Sequence, residues 1–161
     1  NAKSNAPSGS HELVINQLAS SKSLTGEALG ATTKASTKLT DLGVTAGTII
    51  KITHKGKENT LIVSSDKKMS DFVNFAKSAG LNASFDETYK RLYISSKKSG
   101  TENDFQITAS VSLDTDKSQL ENIGLGSEAK VINAVDSQIT YNGVTYTGSS
   151  NVFNINVWKS H

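Results

Sequence analysis

The chain of 161 residues has no cysteine, a single proline, a single tryptophan, and one arginine against 16 lysines. Without cysteine, a disulfide framework, thiolate chemistry and the usual ligands of a structural zinc site are excluded. Nucleic-acid readers lean on arginine forks and on aromatic rings interleaved with basic residues, and Arg91 stands alone here. No apolar run approaches the roughly 20 residues that cross a bilayer. Neither nucleic acid nor membrane is therefore expected as a partner. No basic segment followed by an apolar stretch opens the chain, so no secretory signal is read, although the numbering can begin inside a longer protein.

What is present is polar and short in side chain. There are 23 serines, 16 threonines and 13 asparagines, about a third of the chain, beside 35% hydrophobic residues and a net charge of +2. Such composition is common where β-structure faces water. A chain of this length buries about 70% of its unfolded surface, enough for one domain or two small ones without covalent staples.

Residues 1–10 carry the only proline, Pro7, and read as an exposed lead-in. In His11 to Ala19, Leu13, Ile15 and Gln17 alternate against Val14 and Asn16, which predicts a strand. Residues 20–38 show neither helical nor strand period and read as loop. From Thr48, TIIKITH and ENTLIVS flank a turn at Lys55, Gly56 and Lys57 and predict a hairpin. One helix is clear. Ser70 is the expected N-cap, Asp71 suits the positive end of the dipole, and Phe72, Phe75, Ala76 and Ala79 make one buried stripe. Gly80 can stop it in the left-handed conformation, with Leu81 touching Ala76. LNASFD and RLYIS predict a second hairpin around Glu87 to Lys90, and DFQITA a further strand. Residues 110–130 favour no one element. Asn142-Gly143 between SQITY and VTYTG is the strongest hairpin signal, because both residues tolerate positive φ. The total is about eight strands and one helix.

No constellation in this pattern points to catalysis. His11, His54 and His161 lack the spacing of paired metal ligands and read as ordinary polar residues. Gly124 to Ala129 fits G-x-G-x-x-A, but neither a buried strand before it nor a long helix after it is expected, so it reads as a glycine-rich turn. Ser65 with Lys68 and Ser95 with Lys98 each fit S-x-x-K in turn-like segments, at a serine and lysine content where chance supplies such pairs. Asp114, Asp116 and Glu121 cluster in polar sequence with nothing apolar nearby to raise a pKa, and read as a solvated acidic loop rather than a glycosidase pair. Asn82-Ala83-Ser84 is a lone sequon. No catalytic, cofactor-binding or metal-binding residue is assigned, and no cofactor is expected.

Three stretches carry a family pattern. APSGSHELVINQLASSKSLTG (Ala6 to Gly26) is a small-residue lead-in followed by a strand. Thr60 to Ile107 runs strand, capped short helix, glycine, strand, hairpin and a serine-glycine turn, and is similar to the flagellin IN motif. NAVDSQITYNGVTYTGSSNVFNIN (Asn133 to Asn156) places an Asn-Gly hairpin before a Ser-Asn turn and an Asn-rich strand. In this order they resemble the head region of the bacterial flagellar cap family, the filament-capping proteins also called hook-associated protein 2. The family's long helical leg and coiled-coil segments have no counterpart here, and Val157 to His161 stands where a glycine and a further apolar strand are expected. The chain thus looks like an excised head fragment, which without legs should neither cap nor bind a filament tightly.

That resemblance implies a structural protein and not an enzyme. Its parent would sit as an oligomeric plate at the flagellum tip, outside the cell, where it retains exported flagellin and promotes its assembly by steric closure of the channel exit. Its partners would be flagellin and other copies of the cap protein. Two alternatives stay open: an outer domain of a flagellin-like filament subunit, and an adhesive module that binds host mucin or glycans through Trp158, Tyr141 and Tyr146. A hydrolase is a third reading. The expected fold is α+β, mainly antiparallel sheet with one short helix packed on it, divisible into two β-rich lobes. In that division residues 39–126 form an inserted lobe with the IN motif, and 1–38 with 127–161 supply the outer strands of the other.

Overall fold

The computed structural model describes residues 11–111 and 118–155. The expectations for the lead-in at 1–10, for Asp114 and Asp116, and for Trp158 and His161 lie outside the described residues. The described part is α+β, with ten strands in three antiparallel sheets around one full-length helix. The strands are β1 (Leu13–Gln17), β2 (Ser23–Thr25), β3 (Ile49–His54), β4 (Lys57–Ile62), β5 (Asn82–Asp86), β6 (Arg91–Ser95), β7 (Phe105–Ser110), β8 (Lys130–Ile132), β9 (Ser137–Tyr141) and β10 (Val144–Gly148). The α-helices are α1 (Met69–Ser78) and the single turn α2 (Ser118–Glu121), which falls in the region the sequence left ambiguous; Leu39–Leu42 and Thr101–Asn103 are 3-10 turns.

The sheets are ordered β10-β9-β1, β5-β6-β2-β8 and β4-β3-β7. β3 and β4 pair from Ile49 opposite Ile62 to His54 opposite Lys57. The connecting turn is therefore only Lys55 and Gly56, at φ 53° and 78°. Asn142 and Gly143 turn the β9-β10 hairpin at φ 48° and 80°, as the dipeptide predicts. The first strand and the last hairpin meet, with β1 pairing β9 antiparallel.

Helix α1 buries Met69, Phe72, Val73, Phe75 and Ala76, a wider stripe than the four-residue pattern alone. Its C-terminus is as predicted: Gly80 at φ 91° lets the Gly80 amide reach Lys77 O at 3.0 Å and the Leu81 amide reach Ala76 O at 3.2 Å. The start differs. Lys68, not Ser70, is the N-cap, and the Asp71 carboxylate accepts the Lys68 amide at 2.8 Å. The free amides of Met69 and Ser70 donate to Thr37 O at 2.8 Å and Ala35 O at 2.9 Å. A distant segment thus does what a capping hydroxyl would have done, and the helix begins earlier.

The core lies between the β6 face (Leu92, Ile94), the β3 face (Ile50, Ile52) and α1, with Leu39, Met69, Phe72 and Phe105 fully enclosed. Residues 20–38 are not all loop. Ser23–Thr25 pairs β6 on one side and β8 on the other. Three residues are too few to show a period, and it is the neighbouring strands that supply the ladder.

Candidate functional site

The residues with potential chemistry are dispersed and structurally engaged. His11 stacks on Tyr141 with ring centroids 5.8 Å apart, and its Nδ1 is 2.7 Å from the Tyr141 hydroxyl. His54 Nδ1 lies 3.0 Å from Ala79 O, where it closes the end of α1. Gly124 stands at φ 81° and a Cβ there would lie 2.5 Å from Glu27 O, while a Cβ on Gly126 would collide with Glu121. The G-x-G-x-x-A stretch is therefore a packed turn after α2. Ser65 lies in a turn and Lys68 caps α1, while Ser95 ends β6. Among the described residues no group of three or more His, Asp or Glu is placed to hold a metal. No described helix is long and apolar enough to cross a membrane. Tyr141 and Tyr146 share one face of the β9-β10 hairpin, but the Tyr141 hydroxyl and ring are already taken by His11.

Asp66 carries a lowered carboxyl pKa. The Ser64 hydroxyl, then the Asp66 backbone amide, bond its carboxylate in the exposed turn before α1 and hold it below the ordinary carboxylate range.

Of the concavities on the described surface, two lie along exposed sheet faces. The larger, about 590 Å³, lies on the outer face of β5-β6-β2 and is lined by hydroxyls and amides around Tyr93, with Lys77 and Lys97 at its margin. It holds no carboxylate or imidazole, so no general acid-base pair faces it. The second, about 290 Å³, runs along the apolar face of β9-β1 between Leu13, Ile15, Leu18, Ile139 and Phe153.

The densest polar geometry outside the ladders is a joint, which sequence reasoning did not find. The β6-β7 connection, residues 96–104, inserts between the core sheets and the β10-β9-β1 sheet. Lys22 and Ser96 exchange bonds, the Lys22 amide to Ser96 Oγ at 3.1 Å and the Ser96 amide to Lys22 O at 2.9 Å. Lys22 Nζ is nearly buried. It donates to Phe105 O at 2.6 Å, sits 4.9 Å from the Phe105 ring centre and pairs with Asp104 at 3.5 Å. Thr101 gives its amide and hydroxyl to the two oxygens of Asp136, at 2.8 and 2.9 Å. The Gly100 amide reaches Ser20 O at 3.0 Å and the Ser99 hydroxyl reaches Ser149 O at 2.7 Å. Ser20 also bonds Val135 in both directions.

No protein-family model matches the chain, and no curated protein matches it in sequence. Solved structures do match it. The D1-D2-D3 domains of the flagellar cap protein FliD from Escherichia coli superpose with a TM-score of 0.68 at 20% identity, covering 89% of this chain and 42% of that one. The D2-D3 domains of the same protein give 0.67 at 20% identity over 92% of this chain and 80% of that one. FliD from Pseudomonas aeruginosa PAO1 gives 0.62 at 20% identity over 94% and 71%. The chain has the fold of a flagellar cap head. It spans 42% of the length of the three-domain structure and 80% of the two-domain one. The joint at residues 96–104 ties the β10-β9-β1 sheet to the body of the fold, beside the β2-β6 ladder.

Proposed function

We propose that this chain is the head region of a bacterial flagellar cap protein. It is a structural element of an oligomeric plate at the filament tip, outside the cell, which retains exported flagellin and promotes its assembly. Flagellin and other copies of the cap protein are its partners. It acts by occupying space and not as an enzyme. The supporting observation is the continuity of the cap-head fold over 89% to 94% of the chain in structures from two bacteria. A stiff, hydroxyl-rich body suits this role, because a plate element works by holding shape under the push of exported subunits. We further propose that residues 39–126 are the inserted unit between 1–38 and 127–161, with β2 as the border strand that pairs β6 across the division and β8 beside it on the flank side.

Immunogold labelling of the source bacterium with antibody raised against this chain tests the reading. Label confined to the distal filament ends is expected. Label along the whole filament would assign the chain to a filament subunit, and label elsewhere on the cell would reject both.

A further inference from the structure

Natural sheets protect their edges with charge, proline, bulges or a covering element, because an open edge is a template for another strand. Among the described residues the six edge strands differ sharply in this respect. β5 carries Asp86, β8 carries Lys130, and β4 carries Lys57 and Glu58; α2 packs beside the uncharged β7. β1 and β10, the two edges of one sheet, bear no charge. β10 exposes one large apolar side chain, Val144 at 52%, beside Thr145 and Thr147, whereas β1 exposes three in a row: Leu13 is 54%, Val14 44% and Ile15 59% exposed.

The ladder fixes which backbone groups are open. The Asn142 amide bonds Glu12 O at 2.9 Å, so the alternation of an antiparallel pair turns Glu12 and Val14 inward to β9 and leaves the amides and carbonyls of Leu13 and Ile15 facing out. Asn16 is the extra residue of a register shift opposite Gln138 and Ile139, which ends the usable edge after Ile15.

We propose that β1 is a self-association edge, on which a second copy of this chain pairs its own β1 antiparallel about a two-fold axis through Val14. In that register Leu13 of each copy lies opposite Ile15 of the other, and the outward backbone groups of both residues are satisfied. The two Val14 side chains meet on the opposite face. Glu12 falls opposite Asn16, so no like charges oppose one another. The three exposed apolar side chains are all covered, and the two sheets become one six-stranded sheet. This contact is separate from the cap reading: a two-fold contact joins copies in pairs, whereas a plate needs a cyclic contact. A five-residue edge falls at the low end of interface sizes, below about 1,200 Å² in total, so weak and concentration-dependent pairing is expected.

Sedimentation velocity on this chain from about 10 μM to about 1 mM, a span chosen for a contact of this size, tests the proposal. Dimer growing with concentration is expected. Val14→Lys should weaken it at least 10-fold, by opposing two ammonium groups at the axis. An equimolar mixture of Val14→Lys and Val14→Glu should restore pairing. Leu13→Pro, which removes an outward amide and the Leu13 side chain at the first strand position, provides a second disruption that leaves the β1-β9 ladder intact; circular dichroism confirms the fold of each variant. A wild-type chain still monomeric at the highest concentration overturns the proposal. So does pairing that is indifferent to both variants, or charge-swapped partners that fail to associate. Amides of Leu13 and Ile15 that are protected from exchange in the monomer would assign the edge to the chain's own remaining segments and overturn it as well.

Discussion

Gly100 is where the joint between the sheets is most sensitive to a single methyl group. Its φ of 99° and ψ of 154° lie in a region that only glycine occupies without strain. A Cβ there would stand 2.6 Å from Ser149 Cβ and 2.8 Å from Ser149 Cα, against backbone rather than the end of a flexible side chain. Gly100→Ala thus incurs about 1–3 kcal/mol of backbone strain and about 1–3 kcal/mol more for forced overpacking. Gly47 supplies the control, because at φ 96° it meets nothing within 4 Å, and Gly47→Ala should cost the strain alone. Urea unfolding followed by circular dichroism should show Gly100→Ala the more costly by about 1–3 kcal/mol, about 2–12 °C in Tm for a chain of this size. Amide exchange should rise at Ser20 and Val135, whose mutual bonds lie beside the displaced segment. Equal losses in the two variants with unchanged exchange at Ser20 and Val135 would refute the claim that this contact holds the β10-β9-β1 sheet to the body.

Three further outcomes are expected. Phe72→Ala empties a fully buried position of α1 and should cost about 3–5 kcal/mol, read from the urea midpoint. Ser64→Ala should bring the Asp66 carboxyl back toward its ordinary pKa, measured by NMR titration. Its folded value is lowered, so whatever stability Asp66 adds is present above the ordinary carboxylate range and lost as pH falls through the lowered value; an unmoved midpoint would discard the Ser64 bond as the cause. Asn142→Ala removes the acceptor of the Glu12 amide at 3.0 Å and places alanine at φ 48°, so about 1–2 kcal/mol should be lost and exchange should quicken first in β1.

Much of the fold is legible in sequence because it depends on neighbours in the chain. Asn142-Gly143 and Lys55-Gly56 declare their hairpins through positive φ, and Gly80 declares the end of α1. Local chemistry fails where a distant segment supplies the hydrogen bonds. Ala35 and Thr37 cap α1 in place of Ser70, and Ser23–Thr25 is a strand only because β6 and β8 lie on either side of it. The joint is invisible for the same reason, since Lys22 and Ser96 are 74 residues apart and each is an unremarkable polar residue in its own segment. The alternation in His11 to Ala19 predicts one buried face, yet Leu13, Val14 and Ile15 are all exposed. Period 2 reports the faces of a strand and carries no information about whether its sheet has a further strand or layer beside it.

That exposure and the joint belong to one energetic problem. The β10-β9-β1 sheet has one buried apolar side chain, Ile139, and it stands apart from the main cluster around α1. Three strands with so little covered face are at the margin of independent stability, and the hydrophobic contribution to their order is correspondingly small. The bonds of Ser20 with Val135, Thr101 with Asp136 and Ser99 with Ser149 therefore do more for this sheet than for the core, which keeps Phe72, Phe105 and Leu92 enclosed without them. In native-state exchange the β10-β9-β1 amides should open at lower free energy than those of β3 and β6. Asp136→Ala should widen that gap, because it frees the outer sheet and leaves the core ladder of β4-β3-β7 as it was. If both sets of amides respond equally to Asp136→Ala, the outer sheet has stability of its own and the joint merely touches it.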